Sequence, residues 1–149
     1  MTKEKSDYMD LSELLNMLDS NVEDEIIKSI ESVNKELEGL TKEGTCLIYS
    51  DYITRSLREK DISTKRINTK DFDYPYEHQF NLVPFDNDNY YLIDLCFGQF
   101  KRDDFPSLIE DGYMIVDDSY FNNYMKIVGN SNKNISLKEV KSFVSRIKK

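Results

Sequence analysis

Two strand-forming runs separated by a short cluster of turn residues constrain this chain more than any other feature. The first extends from Tyr76 to Pro84 and the second from Tyr90 to Phe97, with Phe85-Asp86-Asn87-Asp88-Asn89 between them. A joint that rich in Asp and Asn predicts an antiparallel hairpin. Side chains alternate across a strand, so His78, Phe80 and Leu82 are expected on one face of the first run. On the second run, Leu92, Asp94 and Cys96 are expected on one face, opposite Tyr91, Ile93 and Leu95. With a suitable register, His78 and Asp94 become cross-strand neighbours.

Helical patterns surround this hairpin. Asp10, with Glu13 three residues later, predicts a capped helix from Leu11 to about Asp19, with Leu11, Leu14, Leu15 and Leu18 on one face. Ser20 with Glu23 repeats the signature and predicts a second helix carrying Val22, Ile26, Ile30, Val33 and Leu37, stopped by Gly39. Gly44-Thr45-Cys46 predicts a third start, with Thr45 as N-cap and Cys46 in the first turn. Leu47, Ile48, Tyr52, Ile53 and Leu57 are expected to form its buried face, and it ends near Arg58–Asp61.

Ile62 to about Asn68 alternates as a strand, and Asp71–Pro75 reads as a loop. Beyond Phe97 the pattern loosens through Gly98-Gln99-Phe100 and Asp104-Phe105-Pro106. Gly112–Val116 predicts a short strand and Ser119–Val128 a helix. After the loop Asn130–Asn134, Ser136 with Glu139 predicts a final capped helix carrying Leu137, Val140, Phe143, Val144 and Ile147. The order of elements predicts an α+β fold: a central helix carrying Cys46 packed on a small antiparallel sheet, with helices at both ends.

The 149 residues suffice for one domain with a real core. Its expected parts are an N-terminal helical layer (1–40), a core (43–100) and a C-terminal closing segment (101–149). No run approaches the roughly 20 apolar residues of a membrane helix. The polar start lacks an apolar signal segment. A cytoplasmic protein is therefore expected, with export lacking a cleaved signal as the alternative. The net charge of −8 disfavours binding to nucleic acid. Residues 1–40 hold four basic against eleven acidic side chains, and residues 130–149 hold six against one. The basic end suits a solvated helix complementing the acidic start, or contact with an acidic partner. Two cysteines make no disulfide framework, and one histidine makes no zinc site, so neither metal nor cofactor is expected.

What remains is a nucleophile, a base and a carboxylate in the order Cys46, His78, Asp94. A thiol ionises near 8.5, so it needs help to react at neutral pH. A helix N-terminus stabilises the thiolate, and an imidazole takes up its proton. Asp94 stands in an otherwise apolar run, where a carboxylate is costly unless paired. A core-facing His78 needs such a partner, which would also fix its tautomer. Taken singly, Cys46 reads as a small buried hydrophobe, His78 as a satisfied core residue and Asp94 as a strand-end cap. Jointly they read as a catalytic triad. Cys96 is expected on Asp94's face, where it is a packed core thiol or the partner of a reversible disulfide with Cys46.

The glycine-small-Cys helix start, the pair His78-Gln79-Phe80-Asn81 and the run Tyr90-Tyr91-Leu92-Ile93-Asp94 resemble the transglutaminase-like branch of the papain-like superfamily over about residues 43–100. That resemblance implies Cys46 as nucleophile, His78 as general base and acid, and Asp94 as its orienting partner. It also implies acyl transfer on protein amides by a deamidase, transglutaminase or cysteine peptidase, with a protein substrate and a monomeric enzyme. The run Asp94–Phe100 looks most like the bacterial effector and toxin members. The chain departs from the family at Gln79-Phe80, where small and aromatic residues are common, and at Cys96, where threonine is common. It also lacks a glutamine shortly before Cys46 to donate to an oxyanion. Gln99 is a distant candidate for that role, or part of a turn. Two other classes compete: an inactive relative serving as a protein-binding module, and a small acidic immunity or antitoxin protein.

Overall fold

The computed structural model describes residues 11–100 and 105–140, with only the backbone of 11–20 described. The expected Asp10 cap, the outer part of the closing helix with Phe143, Val144 and Ile147, and the stripe side chains before Asn21 lie outside what is described.

The antiparallel hairpin is the centre of an α+β fold. β1 (Lys65–Asn68), β2 (Gln79–Pro84), β3 (Tyr90–Ile93) and β4 (Tyr113–Val116) form one four-stranded antiparallel sheet in sequence order. The register of the hairpin places Asn81 opposite Ile93 and Pro84 opposite Tyr90. Its joint is fixed by Asp86, whose Oδ1 accepts from the amides of Asp88 (2.9 Å) and Asn89 (2.8 Å). Both strands are shorter than expected. β2 begins one residue after His78 and β3 ends one residue before Asp94, so the two site residues stand just beyond the ladder.

Both sheet faces are covered, which is why all four residues of β3 are buried. On one face lie α1 (Leu11–Glu36) and α2 (Cys46–Glu59), whose Ile26, Ile30, Ile53 and Leu57 pack on Val83, Tyr91 and Ile93. On the other lies α4 (Asp118–Gly129), whose Phe121, Tyr124 and Val128 pack with Phe80, Leu82 and Leu92. A short helix α3 (Pro106–Asp111), not anticipated from the sequence, leads into β4. The Ser136/Glu139 cap forms as expected: the Glu139 amide donates to Ser136 Oγ and the Ser136 amide to Glu139 Oε1, each at 3.2 Å.

Three expectations need correction. First, α1 is one continuous helix, not two. Ser20 and Glu23 have capping-box spacing, but no Gly or Pro separates the segments, and the apolar stripe runs on at helical spacing. Second, Leu47 and Ile48 do not belong to the buried face of α2; they are 53% and 38% exposed. The buried residues are Tyr49, Ser50, Ile53, Thr54 and Leu57. Two are small hydroxyl residues, so hydrophobicity alone rotates the inferred face. Third, Cys96 does not share Asp94's side of the sheet. The strand ends at Ile93, alternation stops there, and Cys96 packs with Tyr91, Ile93 and Leu95 on the α1/α2 side.

Candidate active site

Cys46 is the first residue of α2, half-buried where the helix meets the end of the hairpin. Gly44 enables this entry by adopting φ +76°, a conformation that favours glycine. Thr45 is the N-cap residue, but its side chain does not cap; its Oγ1 donates instead to the Thr41 carbonyl at 2.5 Å. The first-turn amides of Cys46 and Leu47 have no carbonyl a turn behind them to bond. They leave a patch of positive potential beside the sulfur.

The position of α2 is set by a buried polar lattice around Asn81. Ser50 Oγ donates to Asn81 Oδ1 at 2.8 Å, while Asn81 Nδ2 donates to Thr54 Oγ1 at 2.9 Å and Thr64 Oγ1 at 3.2 Å. Asn81 therefore ties the helix that begins with Cys46 to the strand that follows His78. Gln79 is engaged elsewhere, its Oε1 accepting from Arg66 at 3.1 Å.

His78 and Asp94 are both almost wholly buried and meet through Nε2 and Oδ2 at 2.8 Å. Extending the hairpin register would set residue 80, not 78, opposite Asp94, so the pair is diagonal. Asp94 is fixed from three further directions. Its amide donates to the Gly112 carbonyl at 2.9 Å, and its Oδ1 accepts from the Cys96 amide at 2.9 Å. Its Oδ2 accepts from the Tyr124 hydroxyl at 2.8 Å as well as from His78. Gly112 has φ +82°, and a Cβ there would stand 2.6 Å from Leu95 Cδ2, so glycine is required where β4 meets the site. On its other side the imidazole meets Phe100 edge-on, with ring centroids 5.0 Å apart.

With Nε2 committed to Asp94, Nδ1 is the nitrogen left for the thiol. Burial pushes the Cys46 thiol up, but hydrogen bonding from His78 and the Gln79 backbone, with the charge of the imidazole, brings it below its ordinary value. Burial disfavours the His78 cation, yet the Asp94 carboxylate and the sulfur outweigh this and raise its pKa to about 10. Both shifts favour the thiolate–imidazolium pair over the neutral one. Cys96 is the opposite case. Burial, Asp94 and Cys46 raise its thiol to about 12, so it stays protonated. Both cysteines are free, and both line one small space of only about 10 Å³.

Cys46 and His78 line a cleft of about 470 Å³ together with Gly44, Tyr76, Glu77, Gln99 and Phe100. Gln99 thus borders the same space, carried there by the 3₁₀ turn Phe97–Phe100. A hollow of similar size, about 490 Å³, beside Tyr120 and Asn130 contains neither thiol nor imidazole. No group of three or more metal-ligating side chains occurs among the described residues.

The fold brings together all three residues singled out in the sequence. Tyr124 was missed as a member of the site. Its signal was a hydroxyl on the apolar stripe of a helix, between Phe121 and Val128, where a buried phenol needs an acceptor. Compared with family models, with curated proteins and with solved structures, the chain matches none. No helix among the described residues is long and apolar enough to cross a membrane.

Proposed function

We propose that this protein is a thiol-dependent acyltransferase or hydrolase acting on protein carboxamides, with Cys46, His78 and Asp94 as its triad. In this reading the fold is a small papain-like or transglutaminase-like one. The observation that carries it is the buried His78–Asp94 pair, whose remaining ring nitrogen is available to a helix-start thiol at the edge of an open cleft. A cysteine serving only as core filler would not have its pKa lowered, and a merely satisfied core histidine would not line the same cleft.

The chemistry follows from these roles. The Cys46 thiolate attacks the carbonyl carbon of a carboxamide. The oxygen takes up the displaced electron pair, and first-turn amides of α2 are positioned to stabilise it. His78 donates its proton to the departing nitrogen, which leaves as ammonia or an amine, and a Cys46 thioester remains. Water or a second amine, deprotonated by His78, then attacks the thioester and the thiol is regenerated. Asp94 keeps the imidazole in the tautomer and orientation that both steps need. The partner is a protein substrate, and the bacterial effector class fits a small enzyme with a short cleft.

The test is proteome-wide mass spectrometry after parallel expression of wild type and Cys46→Ala. A gain of about one dalton at glutamines marks deamidation, crosslinks mark transfer to an amine, and new termini mark peptidase action. No Cys46-dependent change, together with a tight complex that survives Cys46→Ala, would replace the enzyme with a binding or immunity protein.

A further inference from the structure

We propose that Tyr124 is a positioning residue of this site: it anchors Asp94 through Oδ2 and, by sharing that oxygen with His78, limits how tightly the imidazole holds its proton. The inference rests on the reading of Cys46, His78 and Asp94 as a reactive site, but it concerns a residue outside the triad.

Tyr124 is completely buried, and its hydroxyl meets Asp94 Oδ2 at 2.8 Å, the same oxygen that bonds His78 Nε2 at 2.8 Å. A core tyrosine needs an acceptor, and many acceptors would satisfy it. Here the acceptor is the carboxylate oxygen that orients the base. Oδ1 is occupied by the Cys96 amide, so the carboxylate is held at both oxygens. The ring of Tyr124 stands against the same imidazole, with centroids 6.5 Å apart, and stacks on Phe97 at 5.9 Å.

Among the described residues, the groups that titrate around this cluster come from several elements. Cys46 faces it from α2, and His78 from the residue before β2. Asp94 faces it from the turn after β3, while Cys96 acts on Asp94 from the α1/α2 side and is itself influenced by Lys42. Burial and the Asp94 carboxylate keep the Tyr124 hydroxyl protonated throughout the working range, so it is always a donor. A carboxylate that receives a second hydrogen bond is less basic towards the first donor. Remove the phenol hydroxyl, and the state with neutral His78 beside an ionised Asp94 loses more support than the ion pair does. The imidazolium proton is then held harder and is a poorer acid for a departing nitrogen.

The test uses the intact protein and needs no substrate, so it is independent of whether acyl transfer is found. His78 is the chain's only histidine, so isotope-labelled histidine gives one imidazole spectrum by NMR. In Tyr124→Phe, His78 should titrate higher by roughly half a pH unit or more. The upper limb of the Cys46 iodoacetamide profile, where His78 gives up its proton, should move to higher pH. Phe121→Leu, a packing change on the same helix, should leave both readouts in place. Should Tyr124→Phe not fold, wild type grown with 3-fluorotyrosine replaces it: the more acidic phenol is a stronger donor, and His78 should titrate lower. An imidazole titration that is unchanged or lowered in folded Tyr124→Phe overturns the proposal. So does an unchanged or raised titration in the fluorinated protein, or an equal shift in Phe121→Leu.

Discussion

The two faces of the sheet are held by different chemistry. On the α1/α2 side, the helix that begins with Cys46 is pinned by a hydroxyl-and-amide lattice around Asn81, with Ser29 adding bonds to Ser56 and Lys60 between the two helices. On the α4 side, His78 and Asp94 sit in a ring-rich core of Phe80, Phe97, Phe121 and Tyr124, where Asp94 is the acceptor for both polar neighbours. Hydrogen bonds fix an angle and a distance, so a lattice suits a helix whose first residue must point at one place. A tight aromatic shell excludes water, so it suits a charge pair whose proton affinity must be set. The faces meet only where the β2–β3 ladder stops, between His78 and Asp94. There Cys46 from one side reaches His78 from the other.

Changes to the reacting atoms should break this arrangement most severely. Cys46→Ala should reduce acyl transfer by at least about 10³-fold, as loss of a nucleophile does elsewhere. Its stability should change little, because Cys46 is only half-buried. Asp94→Asn should lower turnover by about 10²- to 10⁴-fold and should also destabilise the fold, because it leaves a buried imidazolium unpaired, at about 3–5 kcal/mol. The combination of both losses in one variant, read by activity and by denaturant unfolding, marks the α4 side as the one where stability and chemistry are the same contacts.

On the other face they should separate. Asn81→Ala takes the acceptor from the Ser50 hydroxyl, while Thr54 and Thr64 keep their bonds to the Ser50 and Leu82 carbonyls, at a cost of about 1–3 kcal/mol. Turnover should fall because the thiol is no longer aimed, and His78 should titrate lower by no more than it does in Cys46→Ala, the share that the sulfur contributes. A larger drop would mean that the sheet does not insulate the two cores.

The pH dependence of stability sharpens the same point. His78 is raised from 6.5 to about 10, so its contribution is complete below 6.5 and is lost as pH rises through about 10. Cys46 is lowered from 9.0, so its contribution is present above 9.0 and is lost as pH falls through its lowered value. The slopes oppose each other where they overlap. Cys46→Ala removes one of them, so urea midpoints of that variant should fall more steeply than wild type between pH 7 and 9.

How far the sequence revealed this molecule varies with the physics of each part. The hairpin, the start of α2, the Ser136/Glu139 cap and the grouping of Cys46, His78 and Asp94 were legible because each depends on local turn, capping or pairing chemistry. Tyr124 was not, because the partner of its hydroxyl lies 30 residues away in sequence. The side taken by Cys96 was not legible either, since alternation carries no information beyond the last ladder bond at Ile93. The continuity of α1 was hidden by a capping signature that acts only where a helix already has reason to stop.

The buried face of α2 is the most instructive error, and it supplies the smallest effect. Counting apolar residues puts Leu47 in the core, whereas the lattice around Asn81 draws Ser50 and Thr54 inward and turns Leu47 out. Leu47→Ser should therefore change unfolding free energy by less than about 0.5 kcal/mol, as an exposed position does. Were Leu47 a core residue, the loss would be several times larger, of the order of 2–5 kcal/mol. Ile53→Ala, one to two turns further along the same helix but facing Tyr91 and Ile93, should show that larger loss. Paired denaturant curves for the two variants measure the rotation of α2 directly. Equal losses would mean that polar contacts do not set the helix's orientation, and that the aim of Cys46 has some other source.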